Sequence, residues 1–310
     1  MKVLVLGISG ALARQVALEL HARGHTVSGI DRRPWFDAPK DVEVHRVDLR
    51  KRAAEDVFRK VKPDAVVHMA TVTSLMVKGE ERHRINVDGT RTALEYAHAQ
   101  GVKSFVFAGR HTFYGATPDS PLYHTEEEPP QGLNAFPELA DLVAADLLAG
   151  AALWRYPQMN TAVLRMVYTL GPSRVGTLAT FIRGRRVPMV LGYDPLFQFM
   201  SDEDAASAVA TTVEKKLKGV FNVAGPAPVP LSVIVKQAGK TAVPLPEGLL
   251  SRLLGHFGLP SMPVGALQHI KFPVVVDGTQ FAKASGFVPR YDEVEVLRRY
   301  RALEASSPRR

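Results

Sequence analysis

The chain has 310 residues, 46% of them hydrophobic and 23% charged, with a formal net charge of +8 and no cysteine. That composition suits a globular protein with one large core or two smaller ones. It excludes disulfides, thiolate catalysis and cysteine-based zinc sites, and no apolar run reaches the roughly 18 residues that span a bilayer.

Taken in chain order, the first third alternates short apolar runs with helical patterns. Lys2 to Leu6 reads as a buried strand. Ala11 to Arg23 has apolar residues at helical spacing (Leu12, Val16, Leu20) and stops at Gly24. Thr26–Ile30 and Val42–Val47 are strands, Ala53–Val61 a helix, Asp64–Met69 a buried strand, Glu80–Gln100 a long helix and Lys103–Ala108 a fifth strand. Strand–helix–strand repetition of this kind predicts an α/β fold: a doubly wound parallel sheet, the Rossmann fold, with right-handed crossovers. Thr117–Gln131 is rich in Pro, Glu and Asp and reads as a loop. Ala135–Trp154 follows as an apolar helix and Thr161–Tyr168 as a strand. From Gly171 onward the elements shorten. The expected division is a sheet domain over 1–170 and a smaller carboxy-terminal substrate lobe over 171–310, interleaved with the sheet.

The loop after the first strand reads Gly7-Ile8-Ser9-Gly10-Ala11-Leu12-Ala13. Glycines there permit a tight turn and let backbone N–H groups approach a pyrophosphate, while the helix amino terminus adds partial positive charge. The spacing G-x-x-G-x-x-A is weak alone, because a purely structural turn uses the same glycines. Context strengthens it. Asp31 ends the second strand, 24 positions after Gly7, where a carboxylate bonds the adenosine ribose hydroxyls and repels a 2′-phosphate. This favours NAD, although Arg32 and Arg33 follow at once and leave NADP open. Asp48 and Leu49 end the third strand, within reach of an adenine edge.

The chain resembles the extended short-chain dehydrogenase/reductases, the NAD-dependent epimerase/dehydratase group that includes the UDP-glucose 4-epimerases. The likeness rests on Gly7 to Ala13, Asp48-Leu49, Val66-Val67-His68-Met69-Ala70, Asn86-Val87-Asp88-Gly89-Thr90, Tyr114-Gly115 and Val163-Leu164-Arg165. It continues through Phe199 to Asp204, Gly219 to Gly225 and Ala284 to Pro289. The order and spacing of these landmarks are specific, though no single one is. The resemblance implies that Met69, Ala70 and Thr71 lie on the nicotinamide side of the cofactor and that Asn86 braces the adjoining strand ends. It also implies that Asp204 fastens the carboxy-terminal region, and that this region meets a nucleotide sugar or related anionic substrate.

The catalytic half of the family pattern is absent. Such enzymes use a Tyr and a Lys four residues apart on one helix, with a Ser or Thr at the exit of the fifth strand. The best match puts Phe136 in the Tyr place, Ala140 in the Lys place and Arg110 in the Ser place. Replacements at the same strand end are Arg110 as an anion holder, His111 as a proton carrier near neutral pH, Thr112 as a hydroxyl and Tyr114 as a phenol. The alternative is that Arg110 and His111 only fill space or pair with the acidic loop Glu126-Glu127-Glu128. Two readings follow: an enzyme acting through non-standard residues, or a cofactor-binding sensor or scaffold without turnover.

No metal site is expected, since the ten histidines show no helical H-x-x-x-H spacing beside a Glu. The positive charge fits an anionic substrate. Nucleic acid is disfavoured, because the Arg183, Arg185 and Arg186 cluster has no aromatic set beside it to stack bases; the resemblance offers that cluster to a nucleotide-sugar diphosphate, and the favoured alternative is a solvated helix end. The tail Pro308-Arg309-Arg310 reads as frayed. Leu249 to Pro260 is apolar with basic breaks, and reads as core packing, a lid, a homodimer contact or a patch for membrane lipid. The short apolar run Lys2–Leu6 does not resemble a secretory leader, so a cytoplasmic protein is expected.

Overall fold

A computed structural model of the chain describes residues 1–74, 77–171, 174–256 and 265–306. Seven strands form its main sheet: β1 (Lys2–Leu6), β2 (Thr26–Asp31), β3 (Glu43–Arg46), β4 (Ala65–His68), β5 (Ser104–Arg110), β6 (Asn160–Met166) and β7 (Gly219–Val223). Their order is β7-β6-β5-β4-β1-β2-β3, and every neighbouring pair is parallel. The order reverses between β1 and β4. Ligands of open α/β sheets bind at the carboxyl end of the strands at such a reversal.

Alternation along the strands divides the core. Val3, Val5, Val67, Val106 and Leu164 face the helices α1 (Ala11–Ala22) and Asp202–Lys215. Leu4, Leu6, Val66, Phe105, Phe107 and Val163 face α2 (Arg52–Val61), α3 (Gly89–Ala99) and α4 (Ala140–Arg155). The helix Asp202–Lys215 is α5. Helix α1 stops where the sequence said it should, with Gly24 at φ +81° and its N–H bonded to His21 O.

Three elements differ from the sequence reading. The expected helix over Glu80–Gln100 is broken by a π-helical turn at Arg84–Asp88 between Gly79–His83 and α3, a one-residue insertion that periodicity does not reveal. The helix expected from Ala135 becomes α4 only at Ala140, because Pro137 opens a separate short turn, Pro137–Leu139. The strand expected over Thr161–Tyr168 ends at Met166. Tyr168–Leu170 then leaves the sheet and pairs with Phe199–Ser201.

A second core gathers Leu178, Phe181, Phe197, Ile234, Leu250 and Tyr300 in the carboxy-terminal half. The chain passes from this lobe back to the main sheet for α5 and β7, then returns. Asp204, in the first turn of α5, accepts from the backbone N–H of Arg290 at 2.9 Å and of Tyr291 at 3.4 Å, which fastens the last segment to the sheet. Within the apolar segment from Leu249, Leu250 is fully buried in the lobe core and Leu249 is exposed, while 257–260 lie outside the described residues, as does Pro308-Arg309-Arg310. Among the described residues no helix is long and apolar enough to cross a membrane.

Candidate active site

The loop after β1 is shaped for a pyrophosphate. Gly7 takes φ +82°, and a Cβ there would lie 2.8 Å from the Ala70 backbone, so the chain can turn only with glycine. Its N–H donates to Ile30 O at 2.7 Å, and the Gly10 N–H donates to Gly7 O at 2.9 Å. Gly10 opens α1 with no side-chain cap and no acid in the first turn. The N–H groups of Ala11, Leu12 and Ala13 have no hydrogen-bond partner among the described residues. Unbonded donors at the positive end of a helix are what a bound phosphate uses.

The residues expected at the adenosine end lie at the ends of β2 and β3. Asp31 is buried; its Oδ2 accepts from Ser9 N at 3.1 Å and its Oδ1 from Arg33 N at 2.9 Å. Ser9 Oγ donates to Arg33 O at 2.8 Å, which locks the glycine loop to the end of β2. Arg32 lies 3.9 Å from Asp48 and 3.6 Å from Glu81. Asp48 is held down to about 2, first by the Arg50 side chain, whose Nε and Nη2 bond it at 3.0 and 2.8 Å. Leu49 is buried beside it.

At β4, Met69 N–H donates to Leu6 O at 2.9 Å, Ala70 abuts Gly7, and Thr71 lines a cleft shared with Arg110 and Thr112. Asn86 stands behind them in the π-helical turn. Its Oδ1 accepts from Val72 N at 2.7 Å, and its Nδ2 donates to Val72 O at 2.9 Å and to Asp141 Oδ2 at 2.6 Å. Asn86 therefore fixes the loop after β4. Thr90 Oγ1 donates to Asn86 O at 2.6 Å and accepts the Nε2–H of buried His68 at 2.9 Å, so His68 is a half-satisfied core histidine.

The candidates at the exit of β5 separate into two pairs. Arg110 and Thr112 line both the cleft beside Thr71 and a larger adjoining cavity of about 100 Å³. Arg110 has no carboxylate or hydrogen-bond acceptor among the described residues, and burial pulls its pKa below the ordinary arginine value. The acidic loop does not reach it. Glu126 accepts instead from Asn222 N at 2.8 Å, and Glu128 pairs with His124 at 2.7 Å.

His111 and Tyr114 point elsewhere, which corrects the roles expected for them. His111 is buried, donates Nδ1–H to Met166 O at 3.1 Å, and is held by burial at about 3, so it stays neutral and takes up no second proton near pH 7. Tyr114 is fully buried; it donates to Asn222 Oδ1 at 2.7 Å and accepts from Arg165 Nη1 at 3.0 Å. Burial raises its phenol to about 12, and it lines neither cavity. Its work is to tie β5 to β6 and β7.

On the approach to α4, the face toward Arg110 carries Leu139, Leu142 and Val143. Phe136 lines the larger cavity and Ala140 lines neither. No phenol or ammonium on this face replaces the family's Tyr and Lys. Sequence reading missed Tyr168 and His269, which line the larger cavity. Burial raises the Tyr168 phenol to about 12 against the opposing pull of Arg110. Tyr168 was assigned to the end of a strand, and nothing local to His269 marks it. Arg183, Arg185 and Arg186 are exposed and line neither cavity.

Comparison with known proteins agrees with the fold. The 3-diazoavenalumate denitrifying reductase of a Streptomyces species is 29% identical over 281 residues, covering 83% of this chain and 88% of the relative. The UDP-glucose 4-epimerase of Mus musculus is 30% identical over 184 residues, or 50% of this chain and 52% of that protein. The crystal structure of Thermus thermophilus UDP-glucose 4-epimerase in complex with NAD superposes with a TM-score of 0.79 at 24% identity, covering 99% of this chain and all of the other. The sequence profile of the NAD dependent epimerase/dehydratase family matches residues 3–224, and the chain belongs to that family.

Proposed function

We propose that the chain binds NAD(H) along the Gly7–Ala13 loop and that its reaction is hydride exchange with an anionic small molecule held at Arg110. The observation that carries this reading is the Arg110 guanidinium. Among the described residues it has no acceptor at the exit of β5, and it lines both the cavity and the cleft beside Thr71. A half-buried cation without a counter-charge is costly, and an anionic ligand lowers that cost.

The bound cofactor would supply a nicotinamide that gives or accepts hydride. The N–H groups of Ala11 and Leu12 hold its pyrophosphate, and Asp31 takes the adenosine ribose hydroxyls. Asp48 and Glu81, flanking Arg32, oppose a 2′-phosphate and so favour NAD over NADP. Arg110 binds the substrate anion, and Thr112 offers it a hydroxyl. Leu139, Leu142 and Val143 keep water away where the family places its proton relay. The balancing proton, taken up in reduction and released in oxidation, is then exchanged with water at the Thr71 side of the cleft. The name of the Streptomyces reductase fits a reductive direction.

Calorimetric titration with NAD, NADH, NADP and NADPH tests the cofactor half. Micromolar binding of NAD or NADH, with the phosphorylated forms at least tenfold weaker, is expected; no binding of any of the four overturns it. The apolar face of Leu139, Leu142 and Val143 also favours a second reading, cofactor binding without turnover. NADH consumption with any one of a panel of anionic carbonyl compounds rejects that second reading.

A further inference from the structure

We propose that the cavity beyond Arg110 takes a small aryl carboxylate, its carboxylate on the Arg110 guanidinium and its ring among Phe136, Tyr168, Phe181 and Phe197. The proposal rests on the reading of Arg110 as the anion subsite and names the substrate class that fits it.

Charge comes first. Among the described lining residues, Arg110 is the one formally charged side chain of this cavity, and no Asp, Glu, Asn or Gln faces it. A single planar guanidinium matches a single carboxylate through two parallel hydrogen bonds. A nucleoside diphosphate brings two or more negative charges, which one arginine leaves largely uncompensated inside the protein. The exposed arginines at 183, 185 and 186 do not reach the cavity.

The walls point the same way. Tyr168 and Phe197 lie 5.7 Å apart with their planes at 26°, and Leu142, Leu178 and Ile270 complete an apolar lining. A ring gains burial and offset contacts there. A sugar would bring several hydroxyls, each needing a partner, and unpaired ones weaken binding. The polar groups available are a few hydroxyls and the Nε2 of His269, which is buried without a hydrogen-bond partner. One unpartnered polar atom amid rings suits a single substituent on an aromatic ligand.

Size agrees. The cavity holds about 100 Å³. A cavity of about 150 Å³ lined by apolar side chains is known to take up benzene. The enclosed part is smaller than that benzene site, so a single ring is the most it takes, with its carboxylate at Arg110 where the cavity meets the cleft beside Thr71, and a nucleotide sugar does not fit.

The test is calorimetric titration of the full chain with phenylacetate, phenylacetamide and UDP-glucose, each with and without NADH. We expect phenylacetate to bind at least tenfold more tightly than its neutral amide, and UDP-glucose to bind more weakly than the acid. In Arg110→Gln the acid-to-amide ratio falls to near one, and in Arg110→Lys part of the preference returns. Equal binding of acid and amide, displacement of phenylacetate by UDP-glucose at lower concentration, or a ratio unchanged in Arg110→Gln overturns the proposal. Should NADH itself fail to bind, the cofactor reading falls. The acid-to-amide ratio without NADH then still decides this one.

Discussion

Asp146 on α4 and Arg165 on β6 form an ion pair, Oδ1 to Nη2 at 3.0 Å, with both side chains almost wholly buried. The pair sits under the candidate site. Asp146 Oδ2 lies 2.7 Å from where a Cβ on Gly109 would be, and the Arg165 guanidinium is 3.5 Å from the Phe113 ring centre. Arg165 also reaches Tyr114 Oη at 3.0 Å and Glu126 O at 3.2 Å. One pair therefore holds the strand end that presents Arg110.

Removing one partner leaves the other charge buried and alone. Asp146→Ala is expected to destabilise the fold by about 3–5 kcal/mol, read as a lower urea midpoint. A loss under about 1 kcal/mol would show that the pair does not hold the site.

Gly7→Ala tests the phosphate loop. The positive φ alone disfavours alanine by about 1–2 kcal/mol, and the added methyl must displace the Ala70 backbone. Cofactor affinity is expected to fall at least tenfold, with a smaller fall in melting temperature. Unchanged calorimetric binding of NADH would place the cofactor elsewhere.

Asp31→Ala removes the carboxylate proposed to take the adenosine ribose hydroxyls. Hydrogen bonds to charged groups contribute about 1.5–3 kcal/mol, so NAD binding is expected to weaken by at least tenfold, and NADP to lose less. An NAD/NADP ratio that does not move would remove Asp31 from the adenosine subsite.

Acid should unfold the chain early. Burial holds His68 and His111 at about 3 and His269 at about 4, against about 6.5 for free histidine. Between these limits the unfolded chain takes up protons that the folded chain refuses. Their contribution is thus fully present above about pH 6.5 and declines as pH falls, by up to about 1.4 kcal/mol per unit for each ring. Urea midpoints should drop steeply from pH 7 to pH 5, and His111→Gln should flatten the slope. A midpoint constant across that range contradicts this.

Most of the sheet was legible because its strands are continuous apolar runs, such as Ala65-Val66-Val67, between glycine and charge signals. The turn at Gly7–Ala13 was legible because backbone geometry there is dictated by glycine. The catalytic end was not. Arg110 and His111 are adjacent in sequence, yet strand alternation sends one toward the cavity and the other into the core. Asp141 and Asp146 are hidden within an apolar helix pattern, and their partners, Arg82 and Arg165, lie far away in sequence. Tyr168 was placed on a strand that in fact ends two residues earlier, and only the departure of the chain from the sheet brings it to the cavity.

The contact between α1 and α5 has a consequence for synthesis. Arg23, just past α1, donates to Ser207, Thr211 and Glu214 at 2.8, 3.1 and 2.8 Å. One face of the sheet is thus covered by a segment translated almost two hundred residues after the first strand. A nascent chain carries Val106 and Leu164, on the strands that α5 covers, without that helix until α5 leaves the ribosome, and a fragment ending near residue 200 should be a chaperone client rather than a folded unit.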